Sequence, residues 1–592
     1  MDRTPGTSTD RPTPAAHPRR RCPRLLPLCT ELRQYDRTTL LQDLLAGTIT
    51  AILLIPQALA YALLAGLPAE VGLYASIIPP IVYALLGTSR TLAVGPVAVA
   101  AVMVATALSP YAGGDPGAYV TGALILAALS GIILLTLGLL RIGWLTAFIS
   151  HPVLSGFTTG AAIFIIGTQL AALTGIALPR DADFGQSIAA LVRRIADANA
   201  ATTAFGLTAV VLLALAREHL PRALSALGLA PQRAAILSRM APLILVVIAI
   251  TVAVSTEAAA RWGVATVGTV PAGLPSLRLD FLQAPGWVEL LPSAALIALI
   301  GYVESISVAK ALAFRRREKI DPDQELRALG LTNMAAACAG AMPVAGGFSR
   351  SMVNFDAGAR TQVAAIVTAA WVALATLAFT GLLADLPKAV LAAIIVVAVW
   401  QLVDFAGLRH TWNYDRGDGA AQAATLAGVL AFGIERGLSI GVALALLLFL
   451  YRTSRPHIAV VGRIRGTEHF RNIHRHVVET WPHVLLVRID ENLYFANTPR
   501  VESELQNLVV DRDQLTDVVL ILSGVAYIDA SALEMLESFE TSLAESGILL
   551  HLAEVKGPVL DRLRGSGLIV RLGAGRIHIS TQQGVRALVG ES

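Results

Sequence analysis

From Asp43 to about Tyr451 the chain is an almost unbroken series of apolar segments parted by short polar breaks. A helix needs roughly 20 residues to cross a bilayer. On that measure the spans fall near 44–66, 71–87, 95–109, 119–140, 145–174, 201–216, 241–256, 290–313, 325–342, 347–358, 361–383, 386–403, 419–435 and 437–451, fourteen in all. Several are too short to cross alone. Two open on backbone breakers, one at Gly95-Pro96 and one at Gly346-Gly347. A helix that starts inside the membrane leaves its first N–H groups unpaired and points the positive end of its dipole into the protein. Two such ends facing each other make an anion site without a lysine cluster. Interrupted spans in corresponding halves of a membrane chain point to a transporter's binding site.

Beyond Arg455 the pattern changes. Charged residues become frequent and apolar runs shorten to strand length, in HVLLVRID (483–490), DVVLILSG (517–524) and GILLHLAEV (547–555). Between them the helix near 530–546 places Leu533, Leu536, Phe539 and Leu543 on one face and Glu534, Glu537 and Glu540 away from it. Alternating strands and helices predict a small α/β domain. The division expected is a tail at 1–42, a membrane transport domain at 43–455, and a linker with the α/β domain at 456–592.

Composition supports a membrane protein. Hydrophobic residues make up 55% and charged residues 15% of the 592, against roughly 25% charged in a soluble domain. The net charge of +4 does not call for a nucleic-acid partner, because membrane proteins gather Lys and Arg in cytoplasmic loops. With the N-terminus inside, the alternation puts Arg90, Arg141, Arg217, Arg222, Arg315, Arg316, Arg317, Lys319, Arg360, Arg409, Arg452 and Arg455 inside. Fewer basic residues fall outside: Arg180, Arg193, Arg194, Arg261, Arg278, Lys388 and Arg436. Both termini are expected in the cytoplasm, with LVRRIAD an unexplained exception. The leader RPTPAAHPRRRCPR is basic and Pro-rich, unlike a secretory signal, and is expected to be disordered. Cys22, Cys29 and Cys338 match no zinc or disulfide spacing, and no metal or cofactor is expected.

Four places carry chemistry. Glu304 lies alone in SAALIALIGYVESISVAKALAF, and a carboxylate in a span marks a functional site. Ser307, three positions on, shares its helix face and is in position to bond it. Lys310 precedes a basic run and is expected to snorkel to the surface. Arg350, one turn into GFSRSMVN, can pair with an anion or with Glu304, and Ser349 adds a hydroxyl and an N–H at the helix start. Gln57 and Tyr61 are one turn apart in IPQALAYALLAG, where Pro56 weakens the helix; an amide can donate to an anion.

The run DLLAGTITAILLIPQALAYALLAGLPAEVGLYASIIPPIVYALLGTSRTLAVGPVAVAAVM resembles the opening of the sulfate permease family, SulP. The resemblance continues in GYVESISVAKALA and PVAGGFSRSMVNFDAGARTQ, and ILSGVAYIDASALEMLESF resembles the STAS domain that follows in that family. It implies fourteen segments as 7+7 inverted repeats, a core domain moving against a gate domain like a lift, and an anion held between the starts of segments three and ten. Carried over, the binding residues are Val97 and Ala98 on one side, Phe348, Ser349 and Arg350 on the other, with Gln57 and Tyr61 from segment one. Glu304 matches the acidic position of proton-coupled members. STAS domains of bacterial signalling proteins carry Asp-Ser-Ser-Gly; here Asp529-Ala530-Ser531-Ala532 keeps one serine, so partner or dimer contacts are expected more than phosphorylation of Ser531.

The resulting expectation is a bacterial inner-membrane transporter, a homodimer, taking up sulfate with protons. The alternatives are a bicarbonate or C4-dicarboxylate symporter, or an anion exchanger, which Glu304 disfavours. A membrane-anchored regulator acting through its STAS domain is the competing class. No catalytic constellation points to an enzyme.

Overall fold

The computed structural model describes residues 27–32, 35–144, 150–176, 184–510 and 512–590. The tail with Cys22, the side chain of Cys29, and Arg180 lie outside the described residues. The chain divides into two compact units, Met1–Val442 and Ala443–Ser592.

Among the described residues of the first unit, the segments are as follows. The first is α1 (Arg37–Leu64), and the second is two short helices, α2 (Ala69–Tyr74) and α3 (Ile78–Leu86). The third is a short strand β1 (Val94–Gly95) followed by α4 (Ala98–Ala112). Then come α5 (Pro116–Leu139), α6 (His151–Thr174), α7 (Ala200–Ala226) and α8 (Ala241–Ser255). The second set begins with α9 (Leu291–Arg316) and α10 (Pro322–Cys338). Its third segment is again a strand, β2 (Ala345–Gly346), followed by α11 (Phe348–Asp356). It ends with α12 (Val363–Ala378), α13 (Lys388–Val399), α14 (Arg416–Phe432) and α15 (Ile434–Thr453). Among the described residues eight stretches are long and apolar enough to cross a membrane; α4, α8, α10, α11, α12 and α14 are shorter. The segment expected at 201–216 is longer than expected. α7 continues past its apolar stretch through Arg217 and Pro221 to Ala226.

Caps fix many of the helix starts. Asp36, Ser150, Asn199, Asp321 and Asp415 each accept a bond from a first-turn backbone N–H, which satisfies donors the helix itself cannot. Small residues set the close approaches, as expected where packing rather than hydrophobicity drives association. A Cβ on Gly131 would lie 2.7 Å from the Gly330 carbonyl, so α5 and α10 touch backbone to backbone. Gly156 on α6 meets the Gln422 carbonyl of α14 the same way, at 2.3 Å.

β1 and β2 pair antiparallel, Val94 with Gly346 and Gly95 with Ala345. They are the leads into the third segment of each set of seven. Equivalent strands related by an axis in the membrane plane must run in opposite directions, so this crossing marks the inverted repeat.

The second unit holds a six-stranded sheet in the order β4-β3-β5-β6-β7-β8, built from β3 (Ile458–Arg463), β4 (Phe470–Asn472), β5 (Val484–Ile489), β6 (Asp517–Ile521), β7 (Leu549–Ala553) and β8 (Ile577–His578). The strands from β5 to β8 pair in parallel. Their sequences are mostly apolar because helices cover both faces. Helix α16 (Ala530–Glu545) buries Ala532, Met535, Leu536, Phe539 and Leu543. Met535 was not among the residues assigned to that face, and Leu533 is only partly buried. Glu537 and Glu540 turn outward to Arg571.

Candidate functional site

The crossing of β1 and β2 is tied down by a buried polar frame. Gly346 N donates to Ser305 Oγ at 2.7 Å, and Gly347 N to the Ala93 carbonyl at 3.2 Å. Ser351 Oγ accepts from Ala93 N at 2.9 Å. Asn354 donates to the Thr91 carbonyl, and Gln362 to the carbonyls of Ser89 and Leu92. Asn333 brackets the other lead, accepting from Val344 N at 2.9 Å and donating to its carbonyl at 3.0 Å. Two buried carboxylates brace the surroundings. Glu325 accepts from Tyr83 Oη, Thr88 Oγ1, Thr88 N and Ser89 N. Asp43 accepts from Tyr35 Oη, Thr361 Oγ1, Arg360 N and Thr361 N. Non-helical backbone at membrane depth survives where protein groups satisfy it, and these side chains do so.

Helices α4 and α11 leave this crossing from Val97 and Gly347, and neither start carries a side-chain cap. The unpaired first-turn N–H groups of both helices, with their dipole ends, are thus brought together at the crossing. Val97 packs against Ala100 and Ala345, so the small side chains at 97 and 98 keep the two starts close.

Arg350, in the first turn of α11, is 2% exposed. Its Nη1 donates to the Pro96 carbonyl at 2.5 Å and its Nη2 to the Ala345 carbonyl at 3.5 Å. Its Nε is buried with no partner among the described residues. The guanidinium lies against Gly95 and Gly347, where a Cβ would come within 3.5 Å and 2.9 Å of it. The expected alternative of an ion pair with Glu304 is not formed: Arg350 spends its N–H groups on carbonyls of the two leads. Glu304, half-buried on α9, and Tyr61 on α1 still lie within electrostatic reach of Arg350 and of each other.

The expected bond from Ser307 to Glu304 is also not formed. Ser307 is exposed and donates to the Val303 carbonyl of its own helix at 2.6 Å. A hydroxyl in a helix commonly bonds the carbonyl four residues back. The serine that reaches the crossing is Ser305, beside Glu304 and on the other side of the helix. Lys310 is exposed, as a snorkelling lysine would be.

A cavity of about 450 Å³ lies beside the crossing. Gln57, Phe348 and Ser349 line it, and Phe348 is 52% exposed. Tyr61, Val97, Ala98, Glu304 and Arg350 are not among its lining residues. Gln57 is 4% exposed and its Oε1 has no partner among the described residues. Arg217 of α7 and Ser238 and Arg239, which precede α8, also line the cavity; spacing arguments confined to one segment could not select these. Ser531 lies in the other unit, exposed in the first turn of α16, whose start is capped by Asp529. Among the described residues no cluster of metal-ligating side chains is present.

Comparison with known proteins gives consistent matches. The model of the Sulfate permease family matches residues 40–425, and that of the STAS domain residues 475–577. A probable sulfate transporter 4.2 of Arabidopsis thaliana is 34% identical over 559 residues, 92% of this chain and 81% of that protein. A probable sulfate transporter of Mycobacterium tuberculosis (strain ATCC 25618 / H37Rv) is 33% identical over 566 residues, 95% of this chain and 97% of that protein. Among solved structures, SLC26A9 superposes with a TM-score of 0.87 at 21% identity, covering 96% of this chain and 93% of that one. The transmembrane domain of the cyanobacterial bicarbonate transporter BicA gives 0.57 at 23% identity over 69% of this chain and 98% of that domain. On the strength of the family match and of relatives similar along nearly their whole length, the chain belongs to the sulfate permease family of membrane transporters and ends in a STAS domain.

Proposed function

We propose that this chain is a secondary transporter that takes up sulfate together with protons. In this reading 43–455 is the transport domain, 456–592 the linker and STAS domain, and both termini face the cytoplasm of a bacterial inner membrane. The observation that carries it is the pair of uncapped helix starts at Val97 and Gly347, held against each other beside Arg350. Fixed N–H groups, two dipole ends and a guanidinium favour a small oxyanion. Gln57, Tyr61, Val97, Ala98, Phe348, Ser349 and Arg350 form its surroundings. The names of the plant and mycobacterial relatives favour sulfate over bicarbonate or a dicarboxylate.

Glu304 supplies the coupling. Its negative charge offsets that of Arg350, so protonating it leaves the site more positive, and proton and anion then favour each other's occupancy. Ser307 plays no part in this, because its hydroxyl is engaged by its own helix. Transport follows as a core domain holding the crossing moves against a gate domain, in a homodimer, by an elevator mechanism. The STAS domain contributes partner or dimer contacts, and Ser531 offers an exposed hydroxyl for regulation.

The test is labelled sulfate uptake into proteoliposomes with and without an inward proton gradient. Gradient-stimulated uptake is expected, and Glu304→Gln is expected to remove the stimulated part while the protein still folds. Ordinary pH-dependent uptake by that variant would sink the coupling role. Absence of sulfate uptake by the unaltered chain would move the substrate to bicarbonate or a C4-dicarboxylate, assayed in the same vesicles.

A further inference from the structure

The cavity lining carries charge that the crossing does not use. Arg239 Nη2 donates to Asp356 Oδ2 at 2.8 Å, with the two side chains about a third exposed, 32% and 34%. Its Nη1 is buried and has no partner among the described residues. A guanidinium N–H shut away from water without an acceptor is destabilising, so a turn of the side chain that gives Nη1 an acceptor is favoured. Arg217, on the same cavity, is exposed, and no carboxylate among the described residues pairs with it. Asp356 ends α11, the helix whose first turn presents Ser349 to the cavity. Ser349 at the helix start and the two arginines therefore line one cavity.

We propose that Arg239, aided by Arg217, forms a second oxyanion subsite on the cavity lining, through which the substrate passes on its way to or from the crossing. This rests on the reading of the chain as an oxyanion transporter. The oxyanion accepts from Arg239 Nη1 once it turns toward the cavity that Arg239 lines, while Asp356 keeps Nη2. An arginine with both edges free binds a carboxylate, sulfate or phosphate in bidentate fashion and holds it firmly. With one edge occupied by a fixed carboxylate, Arg239 offers a single bond and a partly cancelled charge. That suits a site that must release its ligand, since passage needs binding that is favourable but weak. Arg217 adds attraction at longer range without a fixed geometry. Asp356 thereby tunes affinity, although it repels the anion it helps to release.

The two members of the ion pair are predicted to act in opposite directions, and that separates a binding role from a structural one. The full chain is purified, and the sulfate concentration giving half of its thermal stabilisation is measured alongside the half-saturating concentration for uptake. Arg239→Gln should raise both by roughly two- to fivefold, the range of a partly exposed charge interaction. Arg239→Lys should raise them less, because the charge remains. Asp356→Asn should lower both. Unchanged values in Arg239→Gln and Asp356→Asn, or shifts in the same direction, would overturn the subsite, the latter because loss of a structural pair harms both variants alike. Unaltered protein that is stabilised by sulfate but moves none would refute sulfate as the transported anion and leave the variants' binding curves to decide the subsite. Unaltered protein indifferent to sulfate in both assays would overturn both.

Discussion

At the residue scale the crossing depends on a few buried polar side chains, each with several partners. Glu325 accepts four bonds from Tyr83, Thr88 and Ser89. Replacing it with Gln swaps one acceptor oxygen for an NH₂ group facing donors. Bonds to a charged group are worth about 1.5–3 kcal/mol, and a stranded donor costs a similar amount. Glu325→Gln is therefore expected to destabilise the folded chain by about 2–3 kcal/mol, within that range, lowering the detergent melting temperature even with no anion present. A melting temperature equal to the parent's would mean the frame is redundant. Arg350 differs, because it ties together two leads that each lack a helix. Arg350→Lys keeps the charge but cannot bridge Pro96 and Ala345 with a fixed fork. Uptake is expected to fall much further in this variant than the charge alone explains. Full activity in Arg350→Lys would reduce Arg350 to a point charge.

At the element scale, helices that touch backbone to backbone leave no room for a methyl group. A Cβ on Gly72, in α2, would lie 1.9 Å from the Ala58 carbonyl of α1. No rotamer change relieves a clash with backbone, and overpacking typically costs about 1–3 kcal/mol or more. Gly72→Ala is expected to push α1 and α2 apart and to reduce the yield of folded protein. Gly228→Ala, where the added carbon meets nothing but the backbone is left-handed, should cost only the local strain. In the C-terminal unit, β7 and β8 place His551 Nδ1 3.2 Å from His578 Nε2, with Asp517 Oδ1 3.0 Å from His551 Nε2. Burial holds both imidazoles below the ordinary value of 6.5, and the neighbouring His551 lowers His578 further. The unfolded chain then binds protons more tightly than the folded one. Stability is therefore complete above about pH 6.5 and declines as the pH falls below it. Hydrogen exchange in Leu549–Ala553 of the full chain, corrected for intrinsic rate, should show protection lost toward about pH 5 and a flatter profile in His551→Gln/His578→Gln. Identical profiles would rule the pair out as the cause.

At the scale of the whole molecule, a transporter and a membrane-anchored regulator make different demands on the C-terminal unit. That unit has its own core, formed around Leu485, Val487, Leu520 and Leu552. The crossing, the cavity and every side chain of the proposed anion site lie in the first unit. Removing 470–592 is therefore expected to lower flux without abolishing it. Complete loss of flux from a correctly inserted truncated chain would favour a regulatory output over transport.

The sequence by itself determined much of this protein. Roughly 20-residue apolar runs can only be spans, because a bilayer offers the backbone no water to bond, and the breakers at Gly95-Pro96 and Gly346-Gly347 fall where β1 and β2 cross. Short apolar runs between amphipathic helices likewise specified the parallel strands β5, β6 and β7. Pairing between distant residues was another matter. Spacing along one helix suggested Ser307 as the partner of Glu304, whereas the hydroxyl that reaches the crossing is that of Ser305. An ion pair between Arg350 and Glu304 was chemically reasonable, but Arg350 bonds carbonyls freed by the non-helical leads. Arg217 read as an ordinary cytoplasmic-loop charge and Arg239 was not singled out, until the fold placed both on the cavity that Ser349 also lines. Periodicity reports which face of one element is apolar, whereas which polar groups meet depends on how separate elements pack, and only the tertiary structure decides that.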